Sequence, residues 1–150
     1  MRMPFVLSAG MCLLIHTACI PVLHPRLFLY PVKGPFSDQS PALAITASTS
    51  GLTSGFISFQ LPSGEACEGP WARVPPGQMT SELSGSWDLL FGQGYYTAHV
   101  LGSKWHGKSK ILGNRGTEFQ LEFYREETKD APLLGVAKDT AGNVYKVTQS

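Results

Sequence analysis

Two stretches of strict alternation constrain this chain more than anything else in it. In TEFQLEFY, residues 117–124, Phe119, Leu121 and Phe123 fall on one side and Glu118, Gln120 and Glu122 on the other. FISFQL, 56–61, sets Ile57, Phe59 and Leu61 against Phe56, Ser58 and Gln60. A period of two belongs to an extended strand, and this partition belongs to an antiparallel sheet with one wet face. ALAITAST, ACEGPWARV, YYTAHVLG, HGKSKILG, LLGVAKD and NVYKVTQ are compatible with further strands. The breaks between them carry turn chemistry: PSGE at 62–65, GNRG at 113–116 and DTAGN at 139–143.

The expected fold is therefore all-β. It is a single antiparallel β-meander, either a small barrel or a sandwich, of about 7–8 strands. The 16 glycines, 11 prolines and a charged fraction of only 15% suit such a turn-rich domain. One segment departs from the rhythm. TSELSGSWDLLFGQG, 80–94, predicts a single helical turn around Ser86 to Phe91, ended by Gly92 and Gly94.

The N-terminus reads differently. Arg2 and the nearly uncharged run PFVLSAGMCLLI make residues 1–18 a signal peptide, and Thr17 and Ala18 stand directly before Cys19. Cleavage there would leave Cys19 as the acylated first residue. Retention instead would make Phe5 to Leu23, 19 residues, an anchor just long enough to span a bilayer. Loss of the leader without acylation, or a misassigned start, is the third reading. Residues 19–41, with prolines at 21, 25, 31, 35 and 41, form an extended tether, whose apolar Leu27 to Val32 is expected to pack on the domain or lie near the bilayer, and the β-domain occupies 42–150.

The lipobox-like leader, YPVKGP, GSWDLLFGQGYYTAHVLG, LGNRGTEFQLEFYR and GVAKDTAGNVYKV together resemble small bacterial lipoproteins of unassigned function. His16 stands where their lipobox usually carries an aliphatic residue. The resemblance implies lipid attachment at Cys19, a place in the bacterial cell envelope facing periplasm or exterior, and a compact β-domain. It implies no activity.

Removing the leader takes away one of 12 basic residues and none of 11 acidic ones, leaving 11 of each. A neutral domain lacks the basic surplus that nucleic acid or a purely electrostatic membrane contact requires. With Cys19 acylated, Cys67 is the one thiol of the mature chain; with Cys19 free, a Cys19–Cys67 bridge is conceivable in an oxidising compartment.

The chemistry-bearing residues form no recognised constellation. Cys67 with His99 or His106 has the types of a nucleophile pair, yet Glu65 and Glu68 beside the thiol would raise its pKa. Ser86, Asp88 and His99 have hydrolase types without a G-x-S-x-G context. His99, His106, Cys67 and Asp88 match no metal-ligand spacing. Arg115 within GNRG reads as a solvated turn residue. Trp87, Tyr95 and Tyr96 flank a glycine-containing loop, with Trp71 and Trp105 elsewhere. Together with His99 they form the candidate ligand surface, the alternative being that they are core.

No catalytic residue, metal or cofactor is assigned. The expected function is a lipid-anchored envelope module that binds or stabilises, with an envelope protein or a glycan as candidate partner. A carbohydrate- or peptidoglycan-binding domain and a small hydrolase using Cys67 or Ser86/His99 are the alternatives.

Overall fold

The computed structural model describes residues 26–38, 42–49, 53–75, 81–128 and 130–149. The leader and Cys19 lie outside them. Eight strands carry the fold: β1 (Leu27–Lys33), β2 (Leu43–Thr49), β3 (Ser54–Gln60), β4 (Ala66–Arg73), β5 (Trp105–Gly113), β6 (Glu118–Arg125), β7 (Leu134–Asp139) and β8 (Val144–Gln149). Each pairs antiparallel with the next, and β8 returns to β1 to close a barrel. Of the two architectures the alternation allows, the barrel is the one that forms, and closure leaves no unpaired sheet edge.

The inward faces follow the sequence pattern. Ile57 and Phe59 of β3, Ile111 of β5, Phe119 and Leu121 of β6 and Tyr145 and Val147 of β8 share one core with Leu29, Ile45 and Cys67. An eight-stranded barrel is just wide enough for side chains to fill it, so large residues must face small ones. Phe123 on β6 stands opposite Gly135 on β7, and Ala137 opposite Leu121.

Three hairpins share one design. Leu61–Glu65, Gly113–Thr117 and Asp139–Asn143 each donate from the first N–H to the fifth carbonyl, and Gly64, Gly116 and Gly142 occupy the fourth place with φ of 80°, 99° and 88°. Only glycine adopts that left-handed conformation without cost, which is why each turn sequence carries it there. Glu65 staples two of these turns, accepting from the N–H groups of Arg115 and Thr117 at 3.1 and 3.0 Å. Arg115 in turn donates to the Ser63 carbonyl, so GNRG is held as structure.

Two expectations are corrected. The β-domain does not begin at residue 42: Leu27–Lys33, read as tether, is the strand that closes the barrel between β2 and β8. Prolines exclude a helix but not an edge-like or bulged strand, and Pro31 sits beside the register shift between Pro31 and Lys33. YYTAHVLG is not a strand. After α1 (Ser84–Phe91), residues Tyr96–Val100 form a π-helical turn, with Leu101 N donating to Tyr96 O. Its buried residues, Tyr96 and Val100, are four apart, a helical spacing that the strand-forming types Tyr, Thr and Val obscure.

These helical segments cover the outer wall of β6 and β7. Leu83, Trp87, Tyr96 and Val100 pack there on Tyr124 and Val136 as a second core outside the barrel. Fully burying such a side chain stabilises by roughly 1.5–3 kcal/mol, which makes the wrap a fixed part of the domain. Among the described residues no helix is long and apolar enough to cross a membrane.

Candidate functional site

Register places the site. Lys108 of β5 lies opposite Glu122 of β6, and His106 opposite Tyr124, all facing outward. The segment preceding α1 crosses over this wall, so a carboxylate that alternation points toward water ends up under a roof. Glu122 is 1% exposed.

Both of its oxygens are engaged. Oε1 lies 2.6 Å from His106 Nε2 and 3.6 Å from Lys108 Nζ. Oε2 accepts from Ser81 Oγ at 2.5 Å and from Trp87 Nε1 at 2.9 Å. Burial opposes ionisation of Glu122; the hydrogen bonds from His106, Ser81 and Trp87 outweigh it and hold the carboxyl below its ordinary pKa. The charge is thus kept, and three separate segments are tied to it.

Beside this network lies a pocket of about 680 Å³, bordered by Ser81–Ser84 on one side and by Lys108, Lys110, Gln120 and Glu122 on the other. Its charges are matched. Lys108 faces Glu122, Lys110 lies 3.4 Å from Glu118, and the Gln120 amide donates to Glu82. Tyr96 also lines it, and among the described residues its buried hydroxyl has no partner within hydrogen-bond distance. Burial pushes that phenol's pKa up, Glu122 adds to the rise, and the neighbouring Ser81 hydroxyl opposes it without satisfying the oxygen.

Of the residues expected to form a ligand surface, Tyr96 lines this pocket and Trp87, Tyr95 and His99 join one stack of rings beside it. Trp87, Phe91, Tyr95 and His99, spaced by four, stack in succession, with ring centroids 5.3, 4.8 and 4.5 Å apart. Trp87 is fully enclosed, Tyr95 is half-buried with its hydroxyl 2.6 Å from that of Tyr124, and His99 is exposed. Trp71 packs edge-on against Phe123 inside the barrel, and Trp105 lies under Arg73 on the surface.

No family model, curated protein or solved structure matches this chain.

The pairs built on Cys67 do not assemble. Cys67 points into the barrel, where burial and then the charges of Glu65 and Asp139 push its thiol up to about 11. His106 lies on the outer wall, and His99 is 3.7 Å from Glu126. Asp88 accepts from the Tyr96 N–H and so starts the π-helical turn. Among the described residues no three potential metal ligands cluster. Ser81, Glu122 and His106 do meet, but with the carboxylate between hydroxyl and imidazole. A hydrolase relay needs the imidazole in the middle, taking the hydroxyl's proton.

Nothing in the sequence singles out Glu122 or Ser81. Alternation gives Glu122 its outward direction and is silent on what lies above it. The faint signal is Ser81 itself, a short hydroxyl side chain just before a helical segment, whose Oγ accepts from Leu83 N at 3.0 Å.

Proposed function

We propose that this protein is a lipid-anchored module of the bacterial cell envelope that acts by binding, with the pocket beneath Ser81–Ser84 as its ligand site. One observation carries the binding reading: the Tyr96 hydroxyl, buried at the pocket wall and without a partner among the described residues. Buried polar groups in native proteins are almost always satisfied, and an exception calls for an occupant that completes it. The π-helical turn that presents Tyr96 is itself a form frequent at functional sites.

Binding is preferred to catalysis because the reactive groups are locked. Glu122 is held as an anion by three donors, and the Cys67 thiol is raised and enclosed. The envelope reading rests on the leader-like N-terminus and Cys19.

Among ligands, glycans are favoured by the charge balance of the lining, which leaves hydroxyl and amide groups as its recognition elements. This differs from a stacking surface on exposed aromatic rings. Titration of the protein with neutral, amino and acidic cell-wall sugars, followed by amide chemical shifts, tests it. Shifts centred on Ser81, Tyr96 and Gln120, weakened by Tyr96→Phe, are expected; a panel that moves none of them rejects the site. Fatty-acid labelling lost in Cys19→Ser tests the anchor separately.

A further inference from the structure

The wall of the barrel formed by β8, β1 and β2 lies on the far side from the pocket-bearing strands β5 and β6. Those three strands, like β3 and β5, contain no aspartate or glutamate, whereas β4, β6 and β7 carry Glu68, Glu118, Glu122 and Asp139. Their positive side chains are Lys33 and Lys146, the latter with its ammonium 5.0 Å over the Phe91 ring of α1, and Arg26 stands directly before β1. On the same wall Tyr30 and Val32 are 44% and 48% exposed, Phe28 is half-buried beside Tyr30, and Tyr30 lies opposite Lys146. Exposed aromatic and aliphatic side chains interleaved with cations, free of carboxylates, match the headgroup region of an anionic bilayer.

The chain supplies the second argument. Because β1 begins at Leu27, only seven residues lie between Cys19 and the barrel, eight Cα-to-Cα steps. Fully extended they reach about 29 Å. A lipid on Cys19 therefore keeps the domain at the membrane and enters it at the end of the strand that carries this wall.

We infer that the β8–β1–β2 wall rests on the bilayer surface through Tyr30, Val32, Arg26 and Lys33, so that the pocket near β5 and β6 is turned away from the lipid. This rests on the lipid-anchor reading above. The contact is a second, weaker signal added to acylation, since charge alone is insufficient in a domain with no net basic surplus.

The test uses the full-length protein in phosphatidylethanolamine–phosphatidylglycerol membranes. Tyr30→Cys and Leu112→Cys are each labelled with a polarity-sensitive fluorophore; Leu112, 54% exposed, lies on β5, four strands away around the barrel. The expected result is emission at position 30 shifted to shorter wavelength and quenched by doxyl-labelled lipid, with position 112 unaffected. Equal, water-like emission from both sites in membrane-bound protein overturns this inference and leaves the anchor standing. Shielding at 30 without lipid quenching also overturns it, in favour of a protein partner. Protein absent from the membrane fraction removes the anchor and this inference together.

Discussion

Trp87 of α1 donates its indole N–H to Glu122 of β6 at 2.9 Å, and both side chains are closed to solvent. This bond joins two layers that the hydrophobic effect alone would only press together. Because Glu122 also holds Ser81 and His106, one carboxylate sets the position of the roof over the pocket.

Removing that carboxylate leaves the buried donors of Trp87 and Ser81 unsatisfied and His106 without its partner. Glu122→Ala is expected to destabilise the domain by about 3 kcal/mol or more. Glu122→Gln keeps the shape and some of the bonds and should cost roughly 1–2 kcal/mol. Urea unfolding measures both, and a red shift of tryptophan emission in native Glu122→Ala would report the loosened roof. An Ala variant as stable as the parent would show that the network is dispensable.

Stability should fall in acid through two carboxylates. Glu122 and Glu65 both sit below their ordinary pKa of 4.5: the first through bonds that outweigh burial, the second chiefly through the Thr117 N–H and hydroxyl. A group whose folded pKa is depressed contributes stability above its unfolded pKa and loses it as pH falls through the folded value. The urea midpoint is therefore expected to hold steady above pH 4.5 with respect to these groups and to drop below it. Glu122→Gln should flatten part of that slope, and an unchanged slope would assign it elsewhere.

The sequence makes the barrel wall legible and the layer upon it opaque. In TEFQLEFY the directions of all six alternating residues are read correctly, yet Glu122 is buried, because alternation reports a face and not its covering. Ser86–Phe91 is recognisable as helical, and Ser84–Phe91 forms α1. The next segment misleads because Tyr95, Tyr96, Thr97 and Val100 are strand-forming types, while its contacts follow a four-residue spacing set by Asp88 and the stack on Trp87. Pro31 and Pro35 disguise β1 as tether. A proline denies a helix and is silent about a strand whose register already breaks at that point.

The buried thiol gives an inexpensive check on the barrel's integrity. Cys67 is enclosed, with its pKa pushed up to about 11, so thiolate is scarce at neutral pH. Comparing the parent with Cys67→Ala isolates its reactivity from the other cysteines. At pH 8 the difference in reaction with a disulfide reagent should be negligible in native protein and one full equivalent in urea. Rapid native reaction would mean that the barrel opens far more readily than its packing implies.

The close passage of β4 over β5 provides the sharpest test of the packing. Gly69 has no positive φ, so backbone conformation does not demand glycine there; space does. A Cβ at this position would stand 2.8 Å from the Ile111 Cα and press into the Lys110 carbonyl, both backbone atoms that cannot rotate away. Gly69→Ala should thus force the two strands apart and cost about 1–3 kcal/mol or more, as overpacking does elsewhere. Gly85→Ala is the control: its Cβ meets nothing within 4 Å, it lies in α1, and helix propensity favours alanine by up to about 1 kcal/mol. Equal effects of the two substitutions on the urea midpoint would contradict the strand approach on which the barrel's closure depends.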